Sequence, residues 1–215
     1  MSTEGAGPRS LHAEVARLLG GPVPLPIVQV GDPVLRSEAR PYDGSLPTDI
    51  FDALVAALRD TMRAAPGVGL AAPQVGLGVA IAVVEDARPV EPEVGARRER
   101  APLPFRVLVN PRYEPVGSER VAFYEGCLSV RGWQAVRTRW RTVRLTAADE
   151  HGERVDEVLT GWPARIVQHE TDHLAGRLYV DEAEMRSLVS PESGASWAAD
   201  LGPERAAAAL GFGIP

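Results

Sequence analysis

The sequence contains no lysine, because all 23 of its basic residues are arginines. The lysine-bearing phosphate loop of nucleotide-binding proteins is therefore excluded. A single cysteine excludes an intramolecular disulfide framework and is typical of a reducing compartment. No apolar run approaches the roughly 18 residues that a membrane span requires. The net charge of -6 argues against non-specific nucleic-acid binding. We expect a cytoplasmic protein with no DNA and no membrane among its partners.

Length and composition predict one globular domain. The chain has 215 residues, of which 45% are hydrophobic and 24% charged. Residues 1–26 hold many Gly, Ala and Pro residues around a helix predicted over 11–19, so we expect them to form an N-terminal extension. Residues 27–215 are expected to form the single main domain. Its C-terminal tail, from about Asp181, is predicted to contain helical segments.

The fold class follows from the order of the predicted elements. Apolar residues at steps of four predict an amphipathic helix that ends before Pro66. These residues are Ile50, Leu54, Leu58 and Met62. Alternating or β-branched segments predict strands over 78–84, 106–110, 119–123, 141–147 and 153–159. Residues 88–104 mix proline with alternating charge, which predicts an exposed loop. With a central helix over about 161–175, this order indicates an α+β fold, in which antiparallel or mixed sheets pack around that helix.

The central helix carries a pattern of metal-dependent hydrolases. His169 and His173 are four residues apart and therefore project from one face of the helix. Glu170 lies beside the first histidine, where its carboxylate reaches a metal-bound water without being a ligand. This H-E-x-x-H arrangement predicts two imidazole ligands and a general base.

Two histidines leave a catalytic metal one protein ligand short, since such sites use three and keep one position open for water. A third histidine six residues after the second is absent, because Tyr179 occupies that place. A downstream glutamate is the second alternative, but the available residues stand in no recognisable motif. They are Glu182, Glu184 and Glu192. Cys127 is the better candidate, although a lone cysteine is by itself more often a small buried residue.

A glycine-rich segment over 67–76 predicts a loop that approaches a ligand closely. Gly67 and Gly69 have no side chains that would keep a ligand away from the backbone. Gln74 offers a side-chain amide that can donate a hydrogen bond to a developing oxyanion. The alternative is a plain turn between a helix and a strand. A phosphate loop does not fit, because neither Lys-Ser nor Lys-Thr follows the glycines.

Together the three segments resemble the peptide deformylases. The motif G-x-G-L-A-A-x-Q corresponds to residues 67–74, E-G-C-L-S to 125–129, and Q-H-E-x-D-H-L-x-G to 168–176. The resemblance runs from about residue 27 to 179. It implies a hydrolase of protein biosynthesis that removes the formyl group from the N-terminal formylmethionine of new polypeptides and releases formate. Many members have a proline after the Cys-Leu-Ser-Val run, whereas this chain has Arg-Gly-Trp at residues 131–133. We expect this departure to affect substrate preference and not the reaction.

The resemblance and the chemistry together give a set of expected roles. Cys127, His169 and His173 are the expected metal ligands. Glu170 is the expected catalytic acid and base, and the Gln74 amide and the Leu128 backbone N–H are expected to hold the oxyanion. The resemblance further implies a methionine pocket near Val68, Trp162 and Ile166, and pairing of the peptide backbone with Val68 and Gly69.

The family implies Fe²⁺ as the native ion, although this ligand set also accepts Zn²⁺, Ni²⁺ or Co²⁺. The expected partners are N-formylmethionyl peptides of nascent chains, with transient association with the ribosome. One alternative is a zinc endopeptidase that uses a downstream carboxylate in place of Cys127. Another is a binding or structural module that keeps the fold without turnover.

Overall fold

Two antiparallel sheets and a central helix form the framework of the structure, a computed structural model that describes residues 10–198 and 200–215. The helices in this part of the chain are α1 (Leu11–Leu19), α2 (Thr48–Ala64), α3 (Pro92–Arg98), α4 (Trp162–Leu174), α5 (Pro191–Ala198) and α6 (Glu204–Leu210). The strands are β1 (Gly69–Ala71), β2 (Ile81–Asp86), β3 (Leu103–Pro115), β4 (Arg120–Cys127), β5 (Val130–Trp140), β6 (Thr142–Ala148), β7 (Arg154–Thr160) and β8 (Ala183–Val189). The predicted α+β class is confirmed.

The larger sheet has the strand order β1-β2-β3-β6-β7, and the smaller has the order β4-β5-β8. Neighbouring strands pair antiparallel throughout, for example Gly69 with Val84 and Glu125 with Ala135. The turn between β6 and β7 is closed by Asp149, whose carboxylate accepts hydrogen bonds from the backbone N–H groups of His151 and Glu153. Strand β1 stands at one edge of the larger sheet.

Helix α4 begins and ends at glycines with positive φ. Gly161 precedes it at φ +68°, Pro163 is tolerated in its first turn, and Gly176 follows it at φ +70°. Its apolar residues, among them Ile166 and Val167, are buried in one cluster with residues of β2, β3 and β6. This packing places the histidine face of α4 beside the β4–β5 turn.

Helix α1 has the predicted bounds, and it packs on α2 through the buried Val15. Leu54, Leu58 and Met62 of the predicted α2 stripe are fully buried in the same cluster. Helix α2 therefore joins the N-terminal segment to the larger sheet. The division of the chain at residue 26 stays a prediction.

One prediction about local structure was wrong, and one strand was not predicted. Residues 88–104 contain helix α3, and Arg100 anchors its end by an ion pair with the buried Asp86. The C-terminal tail contains the predicted helical segments, α5 and α6, but it opens with strand β8, which was not predicted and which pairs with β5. Ala183–Val189 is rich in good helix formers, and pairing with the free edge of β5 overrides that local preference. No helix in the described part of the chain has the length and apolar character needed to cross a membrane.

Candidate metal centre and active site

The structure brings the three predicted ligands together. Cys127 ends β4, and His169 and His173 lie one turn apart on α4. One ligand atom from each residue falls within 4.8 Å of the others, and Cys127 Sγ lies 3.2 Å from His173 Nε2. A sulfur and two imidazole nitrogens at this spacing fit a borderline-soft divalent ion such as iron, zinc, nickel or cobalt.

The turn that carries Cys127 also surrounds its sulfur with hydrogen-bond donors. The backbone N–H of Ser129 donates to Cys127 Sγ at 3.4 Å, and the Gln74 side-chain amide donates at 3.6 Å. These contacts hold the sulfur in position beside the two imidazoles.

Glu125, two residues before the cysteine, orients the first histidine. Its carboxylate lies 3.0 Å from His169 Nδ1 and accepts hydrogen bonds from Arg139 at 2.6 and 2.9 Å. Arg165 donates to the same carboxylate. Burial alone would raise the pKa of Glu125, but the two guanidinium groups hold it well below its usual range. Because the carboxylate binds Nδ1, Nε2 of His169 is left free as a possible metal ligand.

Arg139 continues this network to the far side of the helix. Its Nη1 donates to Asp172 at 2.8 Å, and Asp172 also accepts from the Tyr113 hydroxyl at 3.0 Å and from Arg177 at 2.7 Å. Glu125, Arg139 and Asp172 are all buried. The smaller sheet and helix α4 are therefore joined by hydrogen-bonded charges directly beneath the histidines.

Replacing Arg139 with leucine is expected to destabilise the protein by about 3–5 kcal/mol, because two buried carboxylates lose a charged partner. Denaturant unfolding of the Arg139→Leu variant measures the change. Arg141 provides the matched control, since it pairs with Glu99 and Glu119 at the exposed surface and Arg141→Leu should change stability little. Equal effects of the two substitutions would contradict a structural role for the buried network.

The predicted general base lies in the same cleft. Glu170 is 4% exposed, and its Oε2 has no hydrogen-bond partner among the described residues. Burial raises the pKa of Glu170 to about 7. The carboxylate packs on the bare backbone of Gly69, where a Cβ atom would lie 2.2 Å from Oε1. The glycine loop therefore leaves the space that the Glu170 side chain fills.

A cleft of about 540 Å³ opens onto this centre. All four residues predicted to bind substrate line it, namely Val68, Gly69, Trp162 and Ile166. So do Cys127, His169, Glu170, Gln74 and Leu128. His173 is buried and is not among the residues that line the described cleft. Every predicted site residue is therefore in the cleft or directly beneath it.

Gln74 is fixed at both ends of its amide. Its Oε1 accepts from the Ala71 backbone N–H at 2.8 Å, and its Nε2 lies 3.3 Å from Ser129 Oγ. This geometry turns the Nε2 donor towards the cysteine side of the cleft. The plain-turn interpretation of residues 67–76 does not account for these contacts.

Sequence analysis missed several residues that support the site. Glu125 stands inside the E-G-C-L-S motif, and this position could have indicated a role for it. Arg139 and Arg165 gave no such signal, because charged residues are ordinarily exposed and their acidic partners are distant in sequence. The walls also include Trp133 and, from the tail, Trp197 and Asp200.

Comparison with known proteins agrees with this geometry. The family model described as polypeptide deformylase matches residues 24–188. Peptide deformylase 3 of Streptomyces avermitilis is 65% identical over 207 residues, which cover 96% of this chain and 92% of the relative. The human mitochondrial peptide deformylase is 38% identical over 190 residues, with coverage of 85% and 78%.

The same family appears among solved structures. A Met-Ala-Ser-bound class I type b peptide deformylase from Acinetobacter baumannii has a TM-score of 0.66 and 34% identity, covering 74% of this chain and 97% of that one. An actinonin complex of the Synechococcus elongatus enzyme has a TM-score of 0.63 and 31% identity, covering 90% of this chain and 89% of that one. The chain therefore belongs to the peptide deformylase family, the metal-dependent hydrolases that remove the N-formyl group from nascent polypeptides.

Proposed function

We propose that Cys127, His169 and His173 hold one divalent ion and that Glu170 moves the protons of formyl-peptide hydrolysis. The observation that carries this proposal is the convergence of one sulfur and two imidazoles beside a buried carboxylate in one cleft. When bound, the ion would supply Lewis acidity that lowers the pKa of a water molecule towards ~7.

Glu170 accepts the proton of the attacking water and later delivers a proton to the departing amine. Its free Oε2 and its position against Gly69 support this assignment, because no described residue competes for that oxygen. Glu125 acts differently: its carboxylate is occupied by two arginines and by His169, so it holds an imidazole and takes no part in proton transfer.

The Gln74 amide and the Leu128 backbone N–H hold the oxyanion in this proposal. Gln74 already directs Nε2 towards Cys127 Sγ, and Leu128 follows the cysteine directly in the turn. The Gln74 amide is held by Ala71 and Ser129 before substrate arrives, which is the condition under which such a donor lowers a barrier most.

Replacing Gln74 with glutamate is expected to lower kcat by about 10² to 10³, because the oxyanion donor is lost while the acceptor for Ala71 remains. Steady-state kinetics of formate release measures the change. Ser129→Ala removes the hydroxyl beside Nε2 but keeps the donor, so it should retain most of the activity. Equal losses in the two variants would argue that Gln74 only shapes the turn.

The substrate is placed by two features of the cleft. Val68, Trp162 and Ile166 supply an apolar wall for the methionine side chain. Strand β1 has a free edge on the side away from β2, and an extended peptide can pair there with Val68 and Gly69 as an added strand. The Met-Ala-Ser-bound relative supports peptides of this kind as ligands.

Formate release from formyl-Met-Ala-Ser tests the proposed function. We expect turnover by protein loaded with iron under anaerobic conditions, and by nickel- or cobalt-loaded protein. The matched substrate acetyl-Met-Ala-Ser should react far more slowly, because a narrow site has room for hydrogen on the scissile carbonyl but not for a methyl group. Absence of formate with all three metals would overturn the proposal and favour a binding module.

We propose ferrous iron as the native ion on the basis of the family resemblance, since the ligand set by itself also accepts zinc, nickel or cobalt. Iron-loaded enzyme is then expected to lose activity in air, through oxidation of the metal or of Cys127. Parallel exposure of nickel-loaded enzyme separates these causes, since loss in both preparations indicates the cysteine. Equal activity of aerobic and anaerobic iron preparations would contradict the assignment.

We further propose a cytoplasmic location and transient contact with ribosomes, because the family's substrates are chains still being made. Co-sedimentation with translating and with empty ribosomes tests the contact. Binding only to ribosomes that carry formylated nascent chains would indicate recognition of substrate, without a separate ribosomal surface.

A further inference from the structure

Two arginines stack on the same pair of aromatic rings in the wall of the cleft. Arg98 lies 5.0 Å from the ring centre of Trp162 and 5.7 Å from that of Phe123. Arg165 lies 5.8 and 5.3 Å from the same two rings. The rings meet edge to face, and all four residues line the cleft.

The two guanidinium groups differ in their partners. Arg165 donates to Glu125, to the Arg137 carbonyl at 2.9 Å and to the Val121 carbonyl at 2.7 Å. Within residues 10–198 and 200–215, no hydrogen bond or ion pair is made by the Arg98 side chain, and its Nε is buried. Burial lowers the pKa of Arg98, and the nearby positive charge of Arg100 lowers it further.

The position of Arg98 is fixed by the backbone that follows it. The Trp162 N–H donates to the Glu99 carbonyl at 3.3 Å, and Arg141 binds the Glu99 carboxylate. A Cβ on Gly161 would lie 2.4 Å from Glu99 Cβ, so the end of α3 packs directly on the start of α4. A cation without a hydrogen-bond partner among the described residues is therefore held in place beside Trp162.

We infer that Arg98 is a hydrogen-bond donor at the inner end of the methionine side-chain pocket, and that the enzyme also deformylates peptides beginning with N-formylmethionine sulfoxide. This inference rests on the proposed function and on Trp162 and Ile166 lining that pocket. A thioether sulfur is a weak acceptor, whereas methionine oxidation gives a polar sulfoxide whose oxygen can satisfy the guanidinium.

The reaction on the oxidised substrate is the same hydrolysis. Water adds to the formyl carbon, the C–N bond breaks, and formate and the free amine are released. The sulfoxide itself is neither reduced nor oxidised. Arg98 acts on specificity, because the sulfoxide oxygen gains a charged hydrogen bond that a norleucine side chain cannot make.

Three substrates that differ at the side-chain end test the inference: formyl-Met-Ala-Ser, its methionine sulfoxide form and its norleucine form. In Arg98→Leu, kcat/KM for the sulfoxide should fall at least about tenfold relative to norleucine, as expected for losing a charged hydrogen bond. Arg98→Gln keeps a neutral donor and should retain part of the preference. Arg144→Leu is the control, because Arg144 pairs with Asp156 at the surface and is not among the cleft residues of the described chain.

Calorimetric binding of the product peptides to nickel-loaded protein gives a readout independent of turnover. Wild-type protein should bind the methionine sulfoxide product at least about tenfold more tightly than Arg98→Leu does, with no such difference for the norleucine product. Equal sulfoxide-to-norleucine ratios in wild type and Arg98→Leu would overturn the inference. Failure of wild-type protein to turn over formyl-Met-Ala-Ser would instead overturn the proposed function.

Discussion

Replacing Glu170 with glutamine is expected to lower kcat for formate release by about 10² to 10⁴, while the metal content stays unchanged. The substitution keeps the shape of a buried side chain but removes the group that takes and returns the proton. Glu170 is not among the three residues that converge as candidate ligands, so metal retention is part of the expectation. Steady-state kinetics together with metal analysis of the same preparation measures both quantities.

Two further variants sharpen this result. Thr171→Ala changes the next residue of the helix, which is not among the described cleft residues, and should retain nearly full activity. Gly69→Ala leaves the glutamate in place but puts a methyl group where its carboxylate packs, so it should also reduce kcat. Retention of more than about a tenth of the activity by Glu170→Gln would exclude a general-base role, because the expected contribution is larger.

Replacing Cys127 with alanine is expected to abolish activity together with metal binding. The two remaining imidazoles make an incomplete set for a catalytic site, which needs three protein ligands. Elemental analysis after gel filtration should therefore find the wild-type protein loaded and the variant largely empty. Thermal unfolding with and without added metal should agree, since a bound ion stabilises only a protein that holds it.

Ser129→Ala serves as the control for this substitution. It changes a buried residue of the same turn, while the backbone N–H that donates to Cys127 Sγ remains. If Cys127→Ala kept a full complement of metal, the third ligand would have to be a carboxylate, as in the endopeptidase interpretation. That result would remove the basis of the ligand assignment.

The residues of the site could be predicted from sequence because short local segments carry them. The spacing of His169 and His173 defines one helix face without any tertiary information, and the motif around Cys127 defines a turn. The sequence indicated that another group approaches the backbone of Gly69 closely, but it did not indicate that this group is the Glu170 side chain. That Glu170 fills the space depends on a contact between residues 101 positions apart, which no local pattern encodes.

The fold was less predictable where charge is buried. Strand β5 was not predicted, because Arg137 and Arg139 interrupt its apolar pattern, and both side chains are buried in ion pairs. Periodicity treats such residues as solvent-facing and therefore fails. Strand β8 and helix α3 were not predicted for a related reason, since each is positioned by a partner distant in sequence. The class of fold was nevertheless correct, because the order of the strands and of α4 was recognised.

Arg139, which connects Glu125 to Asp172, should also stabilise the protein when no metal ion is bound. Zinc fingers collapse when their ion is removed, because the ion is their core. Here β4 and α4, which carry all three candidate ligands, are already fastened to each other by Arg139 and Arg165. Chelated protein should therefore remain native, with its empty site preassembled, and one cation should replace another without passage through an unfolded chain.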